Sequence, residues 1–82
     1  MFNVEYSETA AKFLRKLDRQ DAKAILLKVR SIKENPYAHV RRLKGTPLFR
    51  LRAGKYRIII NLGKETIFVV SIGKRDSVYD DL

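Results

Sequence analysis

The chain has 82 residues, 45% of them hydrophobic and 33% charged, with a formal net charge of +9. The hydrophobic content is too high for a disordered chain, and the length implies a single small domain, residues 1–82, burying roughly 60–65% of its unfolded surface. With no cysteine and one histidine, disulfides, thiol nucleophiles and zinc-finger ligand sets are excluded. No apolar run approaches the ~20 residues of a membrane span, and the N-terminus lacks a signal-peptide layout. The expectation is therefore a cytoplasmic protein with no membrane contact and no cofactor.

Phe2, Val4 and Tyr6 alternate with Asn3 and Glu5, the period of a half-buried strand. Ser7 is placed to cap a helix whose first turn carries Glu8 at the positive dipole end. Along that helix Ala10, Phe13, Leu14 and Leu17 form one apolar stripe. Asp18 and Asp21 make a capping-box-like pair that starts a second helix. Its apolar face is read as Ala22, Ile25, Leu26, Val29 and Ile32. It ends before Asn35-Pro36, because the residue preceding proline avoids helical angles.

Two amphipathic helices joined so closely imply an antiparallel helical hairpin. Residues 36–47, punctuated by Pro36, Gly45 and Pro47, read as a loop or irregular segment. Three strand-like runs follow, Leu48–Arg52, Tyr56–Asn61 and Glu65–Ile72, with Gly63 in the last turn. The fold class is α+β, in the order β-α-α-β-β-β. Each helix has one apolar side, so both should cover the same face of a mainly antiparallel sheet.

Charge is distributed unevenly: residues 1–34 carry +3, residues 35–64 carry +8 and residues 65–82 carry −2. The central stretch contains Arg41, Arg42, Lys44, Arg50, Arg52, Lys55, Arg57 and Lys64, and no acid. A basic cluster of this kind favours nucleic acid or an acidic protein as partner. The plainer alternative is a solvated surface that keeps a small protein soluble.

A two-residue turn at Gly54-Lys55, with glycine first, pairs Arg52 with Arg57, Leu51 with Ile58, Arg50 with Ile59 and Phe49 with Ile60. Phe49, Leu51, Ile58 and Ile60 then face the helices, and Arg50, Arg52 and Arg57 face solvent on the other side. A three-residue turn would set Arg52 opposite Tyr56 and mix the faces. Burying an unpaired arginine is costly enough to select the two-residue turn.

Several chemistries are poorly supported. His39 stands alone in a basic loop, so no Ser-His-Asp arrangement is plausible, and it is expected simply to be exposed. No phosphate-cradling glycine pattern is present. The acids Asp76, Asp80 and Asp81 are not paired for glycoside or two-metal work. Cleavage of RNA remains open, because the 2′-hydroxyl can attack the adjacent phosphate while arginines stabilise the charge that builds on the phosphoryl oxygens. A tyrosine or a basic residue can transfer the protons. Tyr79, four residues after Arg75, could share that surface. It could instead pin the C-terminus to the sheet, or stack on a base.

Three ordered segments resemble a known group. They are Arg42-Leu43-Lys44-Gly45-Thr46-Pro47, then Phe49 to Arg57, then Val70-Ser71-Ile72-Gly73-Lys74-Arg75 followed by Val78-Tyr79. Together they resemble the RelE/ParE superfamily of type II toxins, and RelE-type ribosome-dependent mRNA interferases in particular. The resemblance implies a RelE-like fold and a metal-independent endoribonuclease that cleaves mRNA on the ribosome and inhibits translation. It implies Arg57, Arg75 and Tyr79 as catalytic residues and Arg50 and Arg52 as binders of substrate phosphate; Lys44, Lys55 and Lys74 are expected to bind phosphate beside them.

The best-known relatives carry lysines where this chain has Arg50 and Arg52. Arginine is a poor general base, so the expected site of proton abstraction moves to Tyr79. The implied partners are a RelB-like antitoxin, acidic and partly disordered, together with the ribosome and mRNA. Two other readings are a ParE-type poison of DNA gyrase and a non-catalytic basic module that binds nucleic acid.

Overall fold

The computed structural model describes residues 1–74. The elements are β1 (Asn3–Tyr6), α1 (Glu8–Lys16), α2 (Arg19–Ser31), a 3-10 turn (Pro36–Ala38), β2 (Arg41–Arg42), β3 (Phe49–Ala53), β4 (Tyr56–Leu62) and β5 (Thr66–Lys74). The strands form one sheet in the order β1-β5-β4-β3-β2. β1 runs parallel to β5, and every other neighbouring pair is antiparallel.

The helices begin where side chains can satisfy their free N–H groups. The Ser7 Oγ accepts from the Ala10 N–H at 3.0 Å and donates to the Val70 carbonyl at 2.6 Å. One hydroxyl thus starts α1 and ties it to β5. Asp18 accepts from the Asp21 N–H at 2.8 Å and starts α2. Ala10, Ile25, Val29 and Ile32 from the helical layer meet Leu51, Ile58, Ile60, Ile67, Val69 and Ile72 from the sheet, all buried. Burial of each such aliphatic side chain contributes about 1.5–3 kcal/mol at most.

β5 keeps its apolar residues on the helical side by means of a bulge. Ile59 pairs with Ser71 and Ile60 with Val69, which leaves Val70 as an extra residue. A strict period of two would have turned either Val69 or Ile72 away from the core; the added residue lets both be buried. The Ser7 hydroxyl bonds the carbonyl of that extra residue.

Two expectations are corrected. Residues 36–47 are not simply a loop: they hold the 3-10 turn and β2, which pairs Arg41 with Arg50 and Arg42 with Phe49. Buried Pro36 anchors this segment. A tight turn after it is held by Leu43 N–H to Leu48 carbonyl at 2.9 Å and Thr46 N–H to Leu43 carbonyl at 3.1 Å, with Gly45 at φ +79°. Leu26 is also not on the buried face of α2; it is 43% exposed, beside Leu27 at 51%. The helix buries only the narrow stripe through Ile25 and Val29.

Candidate functional site

The β3–β4 hairpin has the register expected from the sequence, with Arg52 opposite Arg57, Leu51 opposite Ile58, Arg50 opposite Ile59 and Phe49 opposite Ile60. Gly54 has φ +60°, and no described residue other than glycine has positive φ. Positive φ at the first turn position alone defines a type II′ turn, whose twist matches that of the strands.

Directly opposed ladder residues project to the same side of a sheet. The side away from the helices therefore carries two rows. Arg41, Arg50, Ile59 and Ser71 form one, and Arg52, Arg57 and Gly73 form the other. Arg41 and Arg52 are exposed and Arg50 is half-buried.

Arg57 departs from the expectation of a solvent-facing side chain. It lies on the expected side of the sheet but is only 7% exposed. Its neighbours across the ladder are Arg52 on β3 and Gly73 on β5, and buried Ile59 lies two residues along the same face. A guanidinium held away from bulk water acts on a nearby anion through a lower effective dielectric than a surface one does.

Beside it, His39, Arg41, Arg50 and Arg52 line a cleft of about 420 Å³. All four lining groups are basic, so the cleft suits an anion. The backbone holds the histidine in place. Its N–H donates to the Pro36 carbonyl at 3.0 Å, Pro36 is buried, and the next residue, Val40, packs against the core. His39 closes the 3-10 turn and lines the cleft together with Arg41, the first residue of β2.

The other sequence-predicted basic residues do not join this cleft. The Lys55 Nζ lies 3.7 Å from the Asp21 carboxylate and 5.7 Å from the centre of the Tyr56 ring, at the helical side of the hairpin. Lys74 pairs with Tyr56 across the ladder and so also falls on the helical side. Lys44 is exposed in the turn after β2. Arg75 and Tyr79 lie outside the described residues.

Two described tyrosines are poor proton carriers. The Tyr56 hydroxyl donates to Asp21 at 2.7 Å. That bond, together with burial, pushes its pKa up to about 12. Burial also raises the Tyr6 hydroxyl above its ordinary value. Among the described residues no group of three or more His, Asp or Glu is placed to hold a metal ion, and no helix is long and apolar enough to cross a membrane.

Sequence reasoning missed that His39 and Arg41 belong with Arg50 and Arg52. Their spacing, with apolar Val40 between two polar residues, was the only signal, and it is too short to read as a strand. Phe68, 39% exposed on the arginine-bearing face opposite Asn61, was also passed over, although burial of Ile67 and Val69 implies its direction.

A helical pair packed on one face of a five-stranded, mostly antiparallel sheet is the fold of the small type II toxins of the RelE/ParE superfamily. The chain belongs to the ParE toxin family: the family model for the ParE toxin of the type II toxin-antitoxin system, parDE, matches residues 4–79. No curated protein sequence matches it significantly.

Solved structures agree on the fold. The toxin-antitoxin complex RelBE2 from Mycobacterium tuberculosis matches with a TM-score of 0.80 at 20% identity, covering 90% of this chain and 98% of that one. The isolated E. coli RelE toxin matches with a TM-score of 0.75 at 29% identity, covering 99% and 94%. The chromosomal ParDE system from P. aeruginosa matches with a TM-score of 0.73 at 12% identity, covering 90% and 96%.

Proposed function

We propose that the protein is a toxin that cleaves mRNA on the ribosome, by attack of a 2′-hydroxyl on the adjacent phosphate. The observation that carries this reading is the cleft in which Arg41, Arg50 and Arg52 meet, with buried Arg57 opposite Arg52. Guanidinium forks match phosphate oxygens in geometry and charge. In the reaction, the bond from the 2′-oxygen to phosphorus forms as the bond to the 5′-oxygen breaks. The products are a 2′,3′-cyclic phosphate and a 5′-hydroxyl.

Arg50 and Arg52 hold the phosphate, Arg57 and Arg75 stabilise the charge on its oxygens, and Tyr79 transfers a proton. Each such electrostatic contact is worth about 10²–10³ in rate. A basic cleft that opens to solvent among the described residues suits an enzyme that relies on the ribosome to orient its RNA. The likeness to RelE at 29% identity supports the same reading.

A RelB-like antitoxin is the proposed partner, as several of the matching solved structures are RelE–RelB complexes. An acidic, partly disordered chain complements a +9 surface. The protein's place of action is proposed to be the cytoplasm, where ribosomes and mRNA meet.

The family match to ParE toxins favours a second reading, a gyrase poison. Induced expression separates the two. The RNA-cleavage reading expects growth arrest with new mRNA ends, and loss of both in Arg75→Ala and Tyr79→Phe. Growth arrest that persists in both variants, with mRNA intact, contradicts it.

A further inference from the structure

We propose that Glu5, Phe68 and Asn61 form a nucleobase site on the arginine-bearing face, fitted to guanine; as part of an mRNA-binding surface it rests on the RNA-cleavage reading. Glu5 pairs with Phe68 across the β1–β5 ladder, and Asn61 pairs with Phe68 across the β4–β5 ladder. The three make one row, with an aromatic ring between a carboxylate and an amide. Their chain neighbours Val4, Ile60, Ile67 and Val69 pack in the core, so the row points away from the helices. All three residues, with Val70 of the bulge, line a cleft of about 340 Å³, within the range of ligand sites.

Phe68 is the platform. It is 39% exposed, and a Cβ added to Gly63 would come within 3.4 Å of its Cε2. Gly63 does not have positive φ, so what glycine supplies there is room beside the ring. An exposed ring on a basic face offers single-stranded RNA a surface on which a base can stack. Phe68 lies two strands from Arg50 and two residues along the sheet, about 10 Å across and about 7 Å along. Neighbouring nucleotides of one strand bridge that span.

The flanking groups choose the base. Among the described residues no side-chain hydrogen bond or ion pair engages Glu5 or Asn61. A carboxylate repels the phosphates of RNA, and it offsets that cost only by accepting hydrogen bonds from a base. Guanine presents two adjacent donors, N1–H and N2–H, to the two oxygens of a carboxylate. Adenine and cytosine set a ring-nitrogen acceptor beside their amino group, and uracil flanks its N–H with carbonyls. At its other edge guanine presents the O6 and N7 acceptors, to which the Asn61 amide donates. A guanine lying on Phe68 thus directs one edge to each of the residues beside the ring.

The test uses labelled single-stranded RNAs that differ only in carrying guanosine, inosine or adenosine at one position, bound at fixed salt and read by fluorescence anisotropy. Inosine lacks only the N2 amino group of guanosine. Wild type should bind the guanosine RNA about 5–150-fold tighter than the adenosine RNA, with inosine between them. Glu5→Ala should abolish that preference without weakening the adenosine RNA, because it removes a negative charge. Phe68→Ala should weaken the guanosine RNA by about 5–150-fold. Phe68→Trp, which introduces the chain's single tryptophan, should keep the affinity and be quenched by the guanosine RNA. Glu5 is exposed on the edge strand β1, and circular dichroism checks that each variant folds.

Cut sites on programmed ribosomes supply the second readout. Wild type should favour guanosine at one position beside the cut, and Glu5→Ala should lose the preference while still cutting other codons. Equal binding of the three RNAs by wild type overturns the site. So does a Glu5→Ala variant that tightens all three alike, which is the effect of charge alone, or one that keeps the wild-type base preference. In each case mRNA cut by wild type leaves the RNA-cleavage reading standing. Guanosine-selective binding with no cut removes that reading and upholds the site as one for binding.

Discussion

Replacing Arg52 with glutamate should stabilise the fold and slow cleavage at the same time. Arg52 and Arg57 are directly opposed across the β3–β4 ladder, and opposed like charges destabilise a sheet whereas opposite charges stabilise it by about 0.2–1 kcal/mol. Two unit charges about 6 Å apart interact by about 0.7 kcal/mol in water and about 2.8 kcal/mol at an effective dielectric of about 20. Arg57 is buried but Arg52 is exposed, so the lower half of that range applies. Arg52→Glu turns repulsion into attraction, and the gain at low salt is about 1–2 kcal/mol.

Urea unfolding measures the gain directly. In about 1 M NaCl, where screening acts within about 3 Å, it should shrink to a few tenths of a kcal/mol. The same variant should lose roughly 10²–10³ in cleavage rate, because a phosphate ligand has become an anion. A variant that is less stable than wild type would show that the contacts Arg52 already makes outweigh its repulsion of Arg57, and a gain indifferent to salt would refute the electrostatic argument.

Other expectations concern the scaffold under the cleft. Ser7→Ala removes both the cap of α1 and the donor to the bulge carbonyl, and should cost about 1–2 kcal/mol by urea unfolding; an unchanged midpoint would contradict the capping role. At Gly54 an added Cβ meets nothing within 4 Å, so Gly54→Ala should lose only the about 1–3 kcal/mol of backbone strain that a side chain brings at positive φ, and a larger loss would point to a clash.

Tyr56 gives a pH signature. Its folded pKa of about 12 lies above the ordinary value of about 10. The protonated hydroxyl therefore contributes stability fully below about pH 10, and that contribution is lost as pH rises through about 12. Tyr56→Phe should flatten the alkaline fall in urea midpoint over that window, and an equally steep fall would contradict the hydrogen bond to Asp21.

The elements that carry long periodic patterns were legible in the sequence. The alternation of Phe2, Val4 and Tyr6, the stripe from Ala10 to Leu17 and the hairpin register about Gly54 all read directly, because burial fixes face and face fixes register. Shorter or context-dependent features were not. Two residues of β2 cannot display alternation, and their pairing with β3 depends on the anchoring of Pro36 and on the turn at Gly45.

Leu26 fits the helical period as well as Val29 does, but a sheet of this width covers only part of the face of α2. The charge of Arg57 suggested solvent, whereas the side chain is buried. His39 was set aside because a lone histidine carries no pattern; only the fold brings it to three arginines. The assignment of Arg50 and Arg52 to one face followed from sequence, whereas the position of Lys55 beside Asp21 and of Lys74 opposite Tyr56 depends on the packing of α2 and on the bulge in β5.

The most direct test of the arginine face as an RNA-cutting surface is to supply the purified protein with programmed ribosomes in one reaction, and with DNA gyrase and supercoiled plasmid in another. The account predicts mRNA fragments ending in 2′,3′-cyclic phosphate and 5′-hydroxyl, with gyrase unaffected. Intact mRNA together with trapped gyrase–DNA cleavage complexes would contradict it.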